Sequence, residues 1–233
     1  MKLGRLLLAL IMAAAMAMPA AAAQPQPVEM AAEVIEYNST TGIMTGTGGV
    51  RFTRDGAVLT GAAATYNTRT KEGHVTGGVK MVQSDAVLTA EELRSYDNNR
   101  ITASGGVQLT KGESVLTGPQ LDYYTDKAYA VVNDQARLVM QDGVMTAGKI
   151  EAYLDESRIT GTGSVHIVSQ ARQLDATADQ AVYYGAEPAR AVLTGNARAV
   201  QEGNILTGNK LTIYLDNQTV NAQGRTQLVI QPQ

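Results

Sequence analysis

One phrase, repeated along the chain, leaves little freedom in what it can fold into. Residues 191–214 read AVLTGNARAVQEGNILTGNKLTIY, with Leu-Thr-Gly-Asn at 193–196 and again at 206–209 around the turn-prone Gln201-Glu202-Gly203-Asn204. Apolar residues alternate on both flanks of that turn, which is the period of extended chain, so the stretch predicts a β-hairpin. Weaker copies are Val58-Leu59-Thr60-Gly61, Val87-Leu88-Thr89-Ala90, Val115-Leu116-Thr117-Gly118, Val144-Met145-Thr146-Ala147 and Ala176-Thr177-Ala178. The threonines at 60, 89, 117, 146, 177 and 207 stand 29, 28, 29, 31 and 30 residues apart. A second phrase falls between them: Gly48-Gly49-Val50, Gly77-Gly78-Val79, Gly105-Gly106-Val107, Asp134-Gln135-Ala136, Gly163-Ser164-Val165 and Gly195-Asn196-Ala197. A fixed period of this length marks a repeat architecture, here with two strands in each repeat.

Tyrosines complete the pattern. Tyr37, Tyr66, Tyr96, Tyr123 or Tyr124, Tyr153, Tyr183 or Tyr184, and Tyr214 each precede a polar turn rich in Asn, Asp and Gly. The opposite strand ends carry Asp55-Gly56, Lys111-Gly112, Asp142-Gly143 and Gly203-Asn204, pairs suited to tight hairpins. Seven repeats of two strands predict an all-β, antiparallel chain of about 14 to 16 strands with almost no helix. Pro119 is expected at a bulge or an edge, because proline cannot donate to a ladder. No linker-like stretch divides residues 24–233, which read as a single domain.

The first 23 residues stand apart. Lys2 and Arg5 precede the apolar run 6–18, and Pro19 leads into Ala21-Ala22-Ala23, the pattern of a cleaved secretory signal. The run is shorter than the roughly 20 residues a spanning helix needs, so the chain is expected to be exported with its signal cleaved rather than anchored. Removing 23 of 233 residues leaves 210, and 17 of the 19 Lys and Arg remain against 22 Asp and Glu, a net charge of about −5. That balance argues against nucleic acid as a partner. With no cysteine there is no disulfide framework and no thiolate metal site. Gly46-Thr47-Gly48 and Gly161-Thr162-Gly163 lack the third glycine of a dinucleotide loop, and no phosphate-loop motif is present. His74 reads as a turn residue and His166 as outward-facing, so no catalytic group, cofactor or metal ligand is assigned.

Alternation within the strands assigns an inner face. It gives Val50 and Phe52, Val79 and Met81, Val107 and Leu109, Ala136, Leu138 and Met140, Val165 and Ile167, Ala197 and Ala199, and Leu228 and Ile230. The opposing strands supply Leu59, Leu88, Leu116, Met145, Leu174 and Leu206. This face holds one Phe, no Trp and several small residues, too little bulk to fill a sandwich interior to ordinary density. Either the sheets approach closely, or an apolar space stays open where a lipid chain would fit. The candidate lining of such a groove is Val50, Phe52, Leu59, Val79, Met81, Leu88, Val107, Leu109, Leu116, Leu138, Met140, Val165, Ile167 and Leu206.

Three stretches carry a family resemblance: Val192-Leu193-Thr194-Gly195-Asn196-Ala197, the run NILTGNKLTIYLD at 204–216, and Ala32-Glu33-Val34-Ile35-Glu36-Tyr37-Asn38. With them the chain resembles the OstA-like family of bacterial lipopolysaccharide-transport proteins over residues 28–231. The resemblance implies a long, twisted, open-ended antiparallel β-jellyroll whose groove holds the acyl chains of lipid A. It also implies edge strands that pair with an inner-membrane-anchored jellyroll partner of an ATPase complex, with an outer-membrane translocon, and end to end with further copies. Carried over residue by residue, those edges are 32–37, with Val34, Ile35 and Glu36, and 226–230, with Gln227, Leu228, Val229 and Ile230. The middle repeat departs from the pattern where Asp134-Gln135 replaces the glycine pair. Two other readings fit glycine-rich repeats: a parallel β-helix with carbohydrate-binding or polysaccharide-lyase activity, and a lipid-free periplasmic scaffold.

Overall fold

The computed structural model describes residues 28–231 except 55, 97, 98, 142, 217 and 218; the expected signal at 1–23 lies outside the described residues. The strands are β1 (Glu29–Ala31), β2 (Val34–Asn38), β3 (Ile43–Arg54), β4 (Ala57–Asn67), β5 (Gly73–Gln83), β6 (Ala86–Tyr96), β7 (Arg100–Lys111) and β8 (Ser114–Tyr124). They continue as β9 (Tyr129–Met140), β10 (Gly143–Tyr153), β11 (Arg158–Ser169), β12 (Leu174–Tyr184), β13 (Arg190–Gln201), β14 (Asn204–Tyr214), β15 (Val220–Gln223) and β16 (Gln227–Val229). Among the described residues the helical content is one short turn, Thr125–Lys127.

The strand order follows the chain from β3 to β15, so nearly every strand pairs with its neighbours in sequence. Ladders such as β3–β4, β5–β6, β11–β12 and β13–β14 are antiparallel. A parallel β-helix is therefore excluded. Contacts gather the described residues into two compact units: an N-terminal one of 28–112 with 117–130, and a C-terminal one of 113–116 with 131–231.

The glycine phrase has a single structural purpose. In ladder after ladder the register slips by one residue at the middle of the strand, as between Thr47–Ala63 and Val50–Gly61 or between Thr194–Lys210 and Ala197–Gly208. Two residues on one strand oppose one on the other, the definition of a β-bulge. Both bulged residues take positive φ: Gly48 and Gly49, Gly77 and Gly78, Gly105 and Gly106, Gly163 and Ser164, Gly195 and Asn196. The middle repeat keeps the same backbone without glycine, with Asp134 at φ 59° and Gln135 at φ 48°. A further pair, Gly224 and Arg225, separates β15 from β16. The expected last strand at 220–230 is thus one more copy of the unit, bent like the others. Pro119 lies inside β8, an interior strand of the order, where it follows Gly118 as Ala62 follows Gly61.

The bulge row divides each long strand into an arm ending at the tight hairpin turns and an arm ending at the tyrosine turns, and both arms bury one face. On the tight-turn arm Val50, Val79, Leu88, Val107, Val165 and Ala197 are buried; on the tyrosine arm so are Val75, Leu93, Leu121, Ile150, Leu193 and Leu211. The arms face each other within each unit. A Cβ placed on Gly161, in the tyrosine arm of β11, would lie 3.1 Å from Met145 Sδ and 3.4 Å from the Ala147 Cβ of the other arm. In the N-terminal unit a Cβ on Gly46 would overlap the Met30 methyl and stand 3.3 Å from Val50 Cγ2. Small residues at 46, 64, 103, 161 and 181 let the arms close together. Each fully buried leucine contributes roughly 1.5–3 kcal/mol to this core.

Outside, the tyrosine ends are tied by an alternating row. In register across the C-terminal unit run Tyr153, Arg158, Tyr184, Arg190 and Tyr214. The Arg158 guanidinium sits 3.7 Å from the Tyr153 ring centroid and that of Arg190 4.5 Å from Tyr184, contacts of the cation–π type. Where the sequence leaves two tyrosines open, Tyr123 is buried while Tyr124 takes the Arg100 guanidinium at 5.9 Å. Arg100 also bonds the buried Asp122 carboxylate at 3.0 Å, and Thr102 and Gln120 donate to the same carboxylate at 2.6 and 2.8 Å. The bond to Asp122 holds the Arg100 guanidinium more firmly protonated than usual.

Candidate functional site

Two inward-facing rows run across each unit. On the tight-turn arm of the N-terminal unit, cross-strand partners follow one another as Met30, Phe52, Leu59, Met81, Leu88 and Leu109. In the C-terminal unit the row is Met145, Ile167, Ala176, Ala199, Leu206 and Leu228. The tyrosine arms supply Ile35, Gly46, Ala64, Val75, Leu93 and Ala103 in one unit. In the other they supply Ile150, Gly161, Ala181, Leu193, Leu211 and Ala222. Every member of these rows is apolar, so they offer no group for acid–base or nucleophilic work and a favourable surface for alkyl chains.

The residues expected to line a groove divide by depth. Those beside the bulge, Val50, Val79, Val107 and Val165, are buried, as are Leu88, Leu109 and Leu138. Those farther out or on the opposing strands, Phe52, Leu59, Met81, Leu116, Met140, Ile167 and Leu206, are only half-buried although they belong to the same face. Burial also varies along a single row: Leu88 and Leu109 are buried at the level where Phe52, Leu59 and Met81 are half-buried, and Ala176 and Ala199 at the level of half-buried Ile167 and Leu206. Sequence reasoning missed the tyrosine-arm rows, whose signal was the apolar alternation before each glycine pair, as at Val75, Ile101, Ile159 and Leu193.

The expected edge residues sit at the two ends of the strand order. β1 and β2 both lie along the outer side of β3, and β15 and β16 along the outer side of β14. Val34, Ile35 and Tyr37 are 54%, 45% and 60% exposed at one end, and Leu228 and Ile230 are 59% and 70% exposed at the other. Glu36, Gln227 and Val229 are exposed beside them. Leu228 and Ile230 therefore do not belong to the covered interior assigned from alternation: Leu228 continues the Leu206 row, but no described strand follows to cover it. His74 corrects a second expectation, since it lies inside β5 rather than in a turn, with Nε2 2.9 Å from Glu92 Oε1. His166 is half-exposed on the outer face, 3.1 Å from Asp175. Both histidines pair across adjacent strands, away from the inward rows.

The family model described as LptA/(LptD N-terminal domain) LPS transport protein matches residues 94–219. A search of curated proteins gives no match. Among solved structures the chain is similar to LptH of Pseudomonas aeruginosa, described as the LptA-homologous periplasmic component of the conserved lipopolysaccharide transport device. The two share 16% identity over 89% of this chain and 96% of that one, with a TM-score of 0.24. The matched family is one of transport proteins rather than enzymes. The family model spans more than half of the 233 residues, through both bulge-bearing units, and the chain belongs to the LptA/LptD N-terminal-domain family of lipopolysaccharide-transport proteins.

Proposed function

We propose that this protein is a periplasmic lipopolysaccharide carrier. It shields lipid A acyl chains between its facing arms and bridges inner- and outer-membrane transport components through its end strands. The observation that supports it best is the set of continuous apolar rows that keep half-buried members such as Phe52, Met81, Ile167 and Leu206 and run out to exposed residues, Ile35 at one edge and Leu228 at the other. A strand added at either edge would extend those rows rather than interrupt them. The partners consistent with this are the anchored jellyroll of an inner-membrane ATPase complex, an outer-membrane translocon and further copies of the chain.

The energetics favour a conduit. A 12-carbon acyl chain gains about 10 kcal/mol on leaving water for an apolar surface. Drawing it from a bilayer costs a similar amount, so the protein lowers the barrier while another component supplies the work. A net-negative chain does not attract anionic head groups through its overall field, so the acyl chains carry most of the affinity. Mass spectrometry of lipids that copurify from a lipopolysaccharide-producing host tests the reading. Stoichiometric lipid A supports it, while lipid-free protein returns the scaffold reading.

A further inference from the structure

Within the C-terminal unit one arginine joins parts of the chain that the strand geometry would otherwise keep far apart. Arg172 lies in the turn between β11 and β12, at the tight-turn end. Its carbonyl accepts a bond from Gln201 Nε2 at 3.3 Å, and the Glu202 N–H reaches the neighbouring Gln173 carbonyl at 3.4 Å. Its backbone is thus level with the start of β14. Yet Arg172 Nη1 donates to the carbonyl of Leu215, 3.0 Å away and just past the other end of β14. Along an unbent strand, residues 204–215 would span about 36 Å at about 3.3 Å per step, far beyond the reach of one side chain. The bond exists because β14 and its neighbours fold at the bulge row and bring the two arm ends together.

From this geometry we infer that Arg172 is a strap across the mouth of the C-terminal unit, and that an amphiphile entering this interior from the side must first release it. The inward positions next to it are apolar: Leu174, buried at the start of β12, and then the small Ala176 and Ala199, which pair in register, with Ala199 also facing Leu206. Ala199 is covered although its neighbour Leu206 is only half-buried. Leu215 is itself fixed, since its N–H donates to the Ala189 carbonyl at 3.0 Å, so the strap is anchored at both ends. The proposal rests on the lipid-carrier reading for what enters, but not for the existence of the closure.

The chain has no cysteine, so Ala199→Cys provides a single thiol beneath the strap and Ala90→Cys a matching buried thiol in the other unit. In full-length protein, Arg172→Ala is expected to raise the maleimide labelling rate at position 199 by about tenfold, the change expected from losing one hydrogen bond from a charged donor. Arg172→Lys should restore part of the protection, and labelling at position 90 should not change. An unchanged rate at 199 in a protein with native circular dichroism overturns the strap, and so does an equal rise at both positions, which reports general loosening. Fluorescent lipid A should load faster into the Arg172→Ala protein than into the native one, and equal loading rates would show that the strap does not control entry. Failure of every form to load lipid A tells against the carrier reading, while the thiol rates still decide whether the strap is there.

Discussion

The covered repeats and the terminal strands are built from the same phrases but live in opposite environments. Leu193 and Leu211 are flanked by strands on both sides and fully buried, whereas Leu228, on an equivalent apolar row, stands 59% exposed on β16. At the other end Met30 and Ile35 continue the inward rows of β3 on two short strands, and Ile35 is 45% exposed. Interior copies owe their stability to neighbours that the end copies lack. In a repeat array of this kind, terminal repeats either carry a polar cap or remain available for another strand. Among the described residues both end strands keep exposed apolar side chains, which is what the proposed pairing with a further strand calls for.

Substitutions should separate the two regions clearly. Leu193→Ala or Leu211→Ala removes a fully buried side chain and should cost about 2–5 kcal/mol in chemical denaturation. Within the bulge row, Gly105→Ala should cost about 1–2 kcal/mol, because φ is +83° and the new methyl would meet the Glu91 Cβ at 2.5 Å. The middle repeat gives the converse: Gln135→Gly should stabilise by up to about 1 kcal/mol, since a non-glycine residue there already holds a left-handed backbone. If both bulge substitutions moved stability in the same direction, the two kinds of bulge would not be equivalent.

At the edges the expectation reverses, with little effect on stability and a large one on association. Leu228→Ala should change folding stability by less than about 0.5 kcal/mol, as for an exposed surface site. Leu228→Pro and Ile35→Pro, which remove ladder donors, should abolish end-to-end association in analytical ultracentrifugation. Unchanged association in both proline variants would remove the edge reading. The smallest effect concerns the outer row. The hydrogen bond from Arg158 holds the Glu156 carboxyl below its ordinary value of 4.5. A lowered folded-state value contributes stability above the unfolded value and loses it as pH falls through the folded one. Glu156→Gln should therefore slightly lower thermal stability at neutral pH, with the difference from the native protein shrinking as pH falls below about 4.5.

Much of this was legible in the residues. The Thr spacing and the Gly pairs gave the repeat and its two strands, whereas the bulge that each Gly pair forms in mid-strand is a finding of the structure, made there because left-handed backbone is cheap for glycine. Asp134-Gln135 holds the same place in the spacing without glycine, and its two positive φ angles show that the left-handed pair is kept there. Gly224-Arg225 was visible in principle, standing 29 residues after Gly195-Asn196, but it falls where short end strands blur alternation. His74 was misplaced because Gly73 looks like a turn residue. It opens β5 instead, as a position where a Cβ would crowd Ser95 Oγ at 2.9 Å and the Tyr66 ring at 3.3 Å. The tyrosine-arm core was least visible, since Gly46, Ala64, Ala103 and Gly161 dilute its apolar alternation. Their small size is what lets the two arms approach.

The central claim is that acyl chains occupy the space between the arms, and alternation along one strand tests it directly. A photoreactive amino acid placed at Leu109 or Ile167, on the inward rows, should cross-link lipopolysaccharide in cells, whereas the same group at Gln108 or His166, one residue away on the outer face, should not. Cross-linking with that period of two is the predicted result. Absence of cross-links at both Leu109 and Ile167, or equal yields on the two faces, would contradict the account.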